Sequence, residues 1–231
     1  MAPEYRPCRQ DCGVLQKSVL FSGLTEEELP QALDFFGAVW ASAPRGSFLA
    51  RAGEPLPAFG LVLDGSVQVC MDDLRGSELI MASVGPGQTF GESLCFLGVP
   101  EIPVFIRAAA DTRLLWLRVG RVREGARDET SRALVGRFIS MLAARTLAMN
   151  SRIQILAKTN LRDKLAAFFT EYAREYGGGS FTVPFDRAGM AAYLGADRSA
   201  LSRELSRLRR EGKIEYHKNT FRLLAKPSEN P

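Results

Sequence analysis

A chain of 231 residues with 46% hydrophobic and 24% charged side chains is long enough for two modest cores and too apolar to be disordered by composition. Residues 1–13 lack an apolar signal core, and no later stretch nears the roughly 18 uninterrupted apolar residues of a bilayer span, so a cytoplasmic protein with no membrane partner is expected. The net charge of +4 falls wholly within residues 159–231, the rest being balanced, which points to a neutral domain joined to one that meets phosphates.

In chain order, residues 22–36 (SGLTEEELPQALDFF) place Thr25 three positions before Glu28, the capping-box spacing that opens a short helix. From about Arg45 to Leu117 the chain reads as short strands between glycine turns: residues 47–54, 59–71, 78–92, 104–110 and 113–118. Val67, Val69 and Met71 alternate with Ser66, Gln68 and Cys70, and Asp64-Gly65 and Arg75-Gly76 mark turns. A sandwich or jelly-roll is the economical architecture. Within this region, residues 91–108 (GESLCFLGVPEIPVFIRA) begin like a loop that holds a phosphate and end like a buried strand, with an apolar middle.

A proline-free segment from about Glu129 to Ala157 changes the period. Val135, Ile139, Leu142, Thr146, Met149, Ile153 and Leu156 recur at alternating steps of four and three, a coiled-coil seam with one polar interruption, and Leu134, Phe138 and Met141 form a second row. Two rows imply a helix covered by its own barrel on one side and by a partner helix on the other, which predicts a parallel homodimer. Residues 160–176 form a further amphipathic helix closed by Gly177-Gly178-Gly179.

Next comes the grammar of a helix-turn-helix with a β wing. Asp186 caps a helix ending at Leu194, Gly195 turns, and Asp197 caps a second helix running to about Glu211. At about 100° per residue, Leu201, Leu205 and Leu208 form an inward stripe, while Arg198, Ser199, Ser202, Arg203, Ser206 and Arg210 form an outward face without a carboxylate, Glu204 lying away from it. Guanidiniums and hydroxyls segregated in this way suit the major groove of double-stranded DNA. In the wing, Ile214 and Tyr216 alternate with Glu215 and His217, Lys218-Asn219 turns, and Phe221 and Leu223 resume the alternation. Lys213, Lys218 and Arg222 would touch phosphates. His217 reads as a surface strand residue; as the single histidine it leaves no Ser/His/Asp set or two-histidine metal site to build, so no enzyme is expected. Cys8, Cys12, Cys70 and Cys95 contain no C-x-x-C pair and read as free thiols, with a redox disulfide involving Cys8 or Cys12 as the alternative.

The frame Gly53-Glu54, Asp64-Gly65 and Gly85-Pro86-Gly87-Gln88-Thr89-Phe90-Gly91-Glu92, with Asp197-Arg198-Ser199-Ala200-Leu201-Ser202-Arg203, resembles the CRP/FNR family of bacterial transcription regulators from about Leu20 to Leu224. The resemblance implies an α+β fold: an N-terminal jelly-roll or β-roll sensor over 1–128, a dimerisation helix over 129–158 and a winged helix-turn-helix over 159–231. It also implies a homodimer on two-fold symmetric DNA, with RNA polymerase as a further partner. Arg198 and Arg203 fall where the family's arginines contact bases or phosphates, and Ser202-Arg203 matches the pair of FNR-like members. The family's common glutamate aligns with Ser199.

In the sensor, Glu92 matches the glutamate that holds the ribose of a cyclic nucleotide, but Ile102-Pro103 stands where Arg-Ser binds the cyclic phosphate, and Met149-Asn150 where Thr-Ser meets adenine. An unpaired phosphate in such a pocket would cost several kcal/mol, which argues against cyclic AMP. Cys8 and Cys12 alone do not supply an iron–sulfur cluster's ligands, and the roll offers no histidine for haem. The expected effector is a small, largely apolar or aromatic molecule held by Phe90, Gly91, Glu92, Leu94, Ile102 and Val104 with Met149 and Asn150. Alternatives are a roll that acts on a protein partner and a regulator without an effector.

Overall fold

The computed structural model describes residues 7–72, 78–175, 179–183 and 186–224, so the Arg75-Gly76 turn and Gly177-Gly178 lie outside the described residues. The chain forms two compact units, residues 1–144 and 145–231.

The first unit opens with α1 (Arg9–Leu15) and α2 (Leu29–Phe35). The capping box forms: Glu28 Oε2 accepts from the Thr25 amide at 2.8 Å and Thr25 Oγ1 accepts from the Glu28 amide at 3.3 Å. Eight strands follow: β1 (Val39–Ala43), β2 (Phe48–Ala50), β3 (Phe59–Asp64), β4 (Val67–Asp72), β5 (Glu78–Val84), β6 (Thr89–Phe90), β7 (Phe105–Ala108) and β8 (Thr112–Leu117). They make two antiparallel four-stranded sheets, ordered β1-β8-β3-β6 and β2-β7-β4-β5. The short helices α3 (Glu92–Leu97) and α4 (Gly120–Glu124) and the part of the long helix α5 (Glu129–Leu156) up to Ala144 complete the unit.

Strand β3 is buried on both faces. Phe59, Leu61 and Leu63 pack with Phe36 of the α2 end and with Leu134, Phe138 and Met141 of α5, so the second apolar row of that helix is consumed inside its own unit. Phe138 is the hub, its ring 5.7 Å from Phe59 and 5.4 Å from Phe96 between centroids. On the other face, Val62 joins Val67, Val84, Phe90, Ile102, Val104 and Ile106 inside the roll. Gly60 permits this: a Cβ there would sit 2.0 Å from Phe90 Cζ, across the β3–β6 pair that places Gly60 opposite Phe90.

Several boundaries differ from the sequence reading. Strand β1 lies before the expected β region, and α1 and α4 were not anticipated, because segments of five to seven residues contain too little periodicity to register. The strand expected over 47–54 stops at Ala50, where the chain turns toward Gly53, a residue at φ +83°. The Val67/Val69/Met71 alternation is broken by a bulge between Val69 and Cys70, which turns Cys70 into the core. Residues 92–97, read as loop, are helix α3, closed at both ends by glycines with left-handed backbone, Gly91 and Gly98. Arg123 fastens the far end of α3 through bonds to the carbonyls of Cys95 at 2.8 Å and Phe96 at 2.7 Å.

The second unit comprises the last turns of α5, α6 (Leu161–Glu175), β9 (Ser180–Thr182), α7 (Arg187–Tyr193), α8 (Arg198–Arg210), β10 (Ile214–His217) and β11 (Thr220–Leu223). Asn160 caps α6 by accepting from the Asp163 amide at 2.9 Å. The wing is a three-stranded sheet ordered β10-β11-β9; its third strand went unread because three residues give no alternation to count. Ile155, Leu165, Phe168, Phe169, Phe181, Met190, Leu194 and Phe221 form the core on which α8 rests.

Candidate nucleic-acid interface

The two helices of the helix-turn-helix begin where their capping carboxylates stand. Asp186 Oδ1 accepts from the Gly189 amide at 2.7 Å, and Asp197 Oδ1 accepts from the amides of Ser199 at 2.8 Å and Ala200 at 3.1 Å. Each such cap satisfies orphan helix donors and is worth about 1 kcal/mol. Between them Gly195 turns at φ +58°. Leu201, Leu205 and Leu208 are buried in one stripe against the core, which fixes the rotation of α8 about its axis.

That rotation exposes Arg198, Ser199, Ser202, Arg203, Ser206 and Arg210 together. A shallow groove on this face is lined by Ser202, Arg203, Glu204, Ser206, Arg207 and Arg210. Ser202 and Ser206 donate to the carbonyls of Arg198 at 3.0 Å and Ser202 at 2.9 Å, so their hydroxyl oxygens turn lone pairs outward while their protons stay on the helix.

Glu204 does reach the groove, but it is ion-paired with Arg162 of α6 at 3.8 Å. Arg162 also donates to Glu211, which in turn pairs with Arg207 at 3.3 Å and Lys213 at 3.5 Å. The Arg162 hydrogen bond, then its charge and that of Lys213, hold the Glu211 carboxyl below the ordinary glutamate range. Glu204 and Glu211 are thereby ion-paired from the α6 side, and the exposed outward face carries the guanidiniums of Arg198, Arg203 and Arg210.

The wing is tied to the helices by arginines the sequence reading did not single out. Arg187, the first residue of α7, lies 5.0 Å from the Tyr216 ring centre and 5.2 Å from that of Phe221, and donates to the Lys218 carbonyl at 2.8 Å. Arg209 approaches Tyr216 from α8 at 5.6 Å. Arg209 was legible in part, since it falls near 20° on the wheel that places Arg198 at zero. Lys218, exposed at the hairpin tip, has a left-handed backbone at φ +51°.

The residues expected to hold an effector separate into two groups. Phe90, Ile102 and Val104 are buried against one another, with Leu94 packed beside them and Glu92 buried in the first turn of α3. Gly91 has φ +79°, and a Cβ there would come within 2.4 Å of Leu56 Cδ2. Met149 and Asn150 are exposed on α5 within the second unit. On the expected seam, Ile139, Met149 and Ile153 are 60%, 60% and 61% exposed; Thr146 and Leu156 are exposed as well, while Val135 and Leu142 lean against the first unit's core. Cys8 is exposed, and Cys12, Cys70 and Cys95 are buried free thiols; burial pushes Cys12 and Cys95 up from the ordinary thiol value.

Comparison with known proteins parallels this division. The family profile described as a cyclic nucleotide-binding domain matches residues 40–128, and that of a Crp-like helix-turn-helix domain matches residues 163–227. The chain is 30% identical over 208 residues to the cyclic AMP receptor protein of Thermus thermophilus, spanning 89% of this chain and 92% of that one. It is 25% identical over 211 residues to the anaerobic regulatory protein of Pasteurella multocida, spanning 88% and 74%. A solved structure of a CooA mutant from Carboxydothermus hydrogenoformans shares the fold, with a TM-score of 0.61 at 18% identity over 83% of this chain and 86% of that one.

Proposed function

This chain belongs to the CRP/FNR family of DNA-binding transcription regulators, and from that premise we propose that it works as a cytoplasmic homodimer on two-fold symmetric operators, under control of an effector other than cyclic AMP. The observation that supports the DNA-reading part is the face of α8: the guanidiniums of Arg198, Arg203 and Arg210 and the hydroxyls of Ser199, Ser202 and Ser206 are exposed on one side of a capped, core-anchored helix, with Glu204 and Glu211 ion-paired to Arg162. In the major groove, Arg203 would take guanine O6 and N7, Ser202 and Ser206 would accept from exocyclic amines, and Arg198, Arg210 and Lys218 would neutralise phosphates. The exposed seam of Ile139, Thr146, Met149, Ile153 and Leu156, extended by Val135 and Leu142, would join two α5 helices and set two α8 helices about one DNA turn apart.

The Thermus relative is named for cyclic AMP. In this chain Ile102, 1% exposed, is part of the roll core at the position that the resemblance assigns to the family's phosphate-binding arginine, and Arg107 of β7 is engaged with Gln68 Oε1 at 3.1 Å. Those side chains favour a small apolar or aromatic ligand with a polar group toward Glu92; the same packing is compatible with regulation that needs no ligand. A ligand would act by its unequal affinity for two arrangements of the α5 helices.

Fluorescence anisotropy on duplexes selected from a random pool, repeated across salt concentrations, tests the main reading. A two-fold symmetric preferred site and a steep fall of affinity with salt are expected; binding indifferent to sequence overturns it. Native mass spectrometry of the purified protein and thermal shifts with cyclic AMP against aromatic acids test the effector. Stabilisation by cyclic AMP alone contradicts the ligand class, and no bound or stabilising ligand of any class favours the ligand-free alternative.

A further inference from the structure

Ser199 occupies a position from which a direct base contact would be expected, yet its hydrogen-bonding capacity is largely committed within the protein. Its hydroxyl donates to Asp197 Oδ1 at 2.5 Å, and its oxygen accepts from Arg203 Nη1 at 3.0 Å, one helical turn further on. A serine hydroxyl has one proton and two lone pairs; the proton and one lone pair are used. We propose that Ser199 is a positioning residue rather than a base reader: it relays the charge of Asp197 to Arg203 and holds that arginine with its Nε–H and Nη2–H edge presented to a guanine. The proposal rests on the DNA-reading role of α8 given above.

Three features support it. First, the relay starts from a carboxylate that is itself fixed, since Asp197 Oδ1 also accepts the Ser199 and Ala200 amides, and bonding, chiefly from the Ser199 hydroxyl, keeps its carboxyl below the ordinary aspartate range. A hydroxyl donating to a carboxylate is a stronger acceptor for the next donor. Second, the bond is made by Nη1. The guanidinium offers two forks, Nη1 with Nη2 and Nε with Nη2; engaging Nη1 within the protein leaves the second, which matches the O6/N7 pair of guanine. Third, arginine has much rotamer freedom to lose, and a side chain held before DNA arrives loses less of it on binding. A carboxylate at position 199 would hold Arg203 as well, but would bring its charge to the DNA. The serine keeps the charge one residue pair back, at the helix cap.

The test starts from the duplex that the wild-type protein selects from a random pool. Dissociation constants are then measured on that duplex and on all its single-base variants for S199A, S199T, R203A and the S199A/R203A double variant. R203A is expected to lose about tenfold or more of its discrimination at one base pair of each half-site. S199A is expected to lose roughly threefold at that same pair, with an unchanged salt slope because no phosphate contact is removed. S199T should restore discrimination, and the double variant should match R203A alone. Loss at a different base pair in S199A, or a double variant whose loss is the product of the two single losses, overturns the relay while leaving DNA reading intact. A wild-type protein that selects no sequence overturns the underlying reading and the relay with it. Asp197 is unchanged in every variant, so the cap of α8 should persist, and circular dichroism checks that each variant is folded.

Discussion

Replacing Arg187 by alanine should release the wing from the helix-turn-helix. Three interactions vanish together: the charge-assisted bond to the Lys218 carbonyl at 2.8 Å and the contacts with the Tyr216 and Phe221 rings at 5.0 and 5.2 Å. A hydrogen bond from a charged donor is worth about 1.5–3 kcal/mol, and each partly exposed cation–π contact about 0.5–1 kcal/mol. These share one side chain and do not add fully, so the expected loss is about 2–3 kcal/mol, read as a lower midpoint in urea denaturation. Arg187→Lys keeps a cation near the rings without the planar fork and should recover about half. On DNA, the wing tip at Lys218 would no longer be aimed, so Arg187→Ala and Lys218→Ala should each reduce the salt slope by about one counterion, and the double variant by no more than either. If Arg187→Ala unfolds within about 0.5 kcal/mol of the wild type, or if the two losses in slope sum, Arg187 is not the residue that aims the wing.

The seam on α5 predicts that Ile153→Glu, which places a charge on a 61% exposed apolar position, weakens the proposed dimer by at least about tenfold while leaving the protomer folded; sedimentation velocity across a concentration series reads this directly, and an unchanged distribution removes Ile153 from the proposed interface. Gly60→Ala drives a methyl into the Phe90 ring, about 2.0 Å from Cζ without rearrangement, and should cost about 1–3 kcal/mol, with partial rescue by Phe90→Leu in the same chain; an unaffected melting temperature would mean the roll interior is looser than its packing indicates. Glu211 has a folded pKa lowered by Arg162, so its contribution is present above the ordinary glutamate value near 4.5 and is lost as pH falls through the lowered value. Arg162→Ala should therefore flatten stability against pH below about 4.5, and an identical acid limb in both proteins would refute the pairing.

What was legible in the sequence is what repeats along one element. The stripe of Leu201, Leu205 and Leu208 is buried as the helical period required, and Asp186, Asp197 and the Thr25–Glu28 box cap the helices they precede. The row of Leu134, Phe138 and Met141 meets the barrel it was read to meet. In each case the information lies within one or two turns of chain, where backbone geometry dictates which residues share a face. The helix α3 is not legible because its six residues, between Gly91 and Gly98, are too few to show a helical period.

The tertiary structure decided everything that depends on partners distant in sequence. Arg162 reaches Glu204 and Glu211 across more than 40 residues, and Arg187 reaches Lys218 across 31; no periodicity announces such pairs, because a long side chain chooses its partner by what the fold brings within a few ångströms. The bulge that turns Cys70 inward and the Gly60–Phe90 contact likewise arise from two strands meeting. On α8 the two sources of information meet. Sequence alone placed Ser199 on the outward face, since a helix repeats every 3.6 residues. Its engagement by Asp197 and Arg203 is decided by the structure alone, because hydrogen-bond direction depends on rotamers that the period of a helix does not specify.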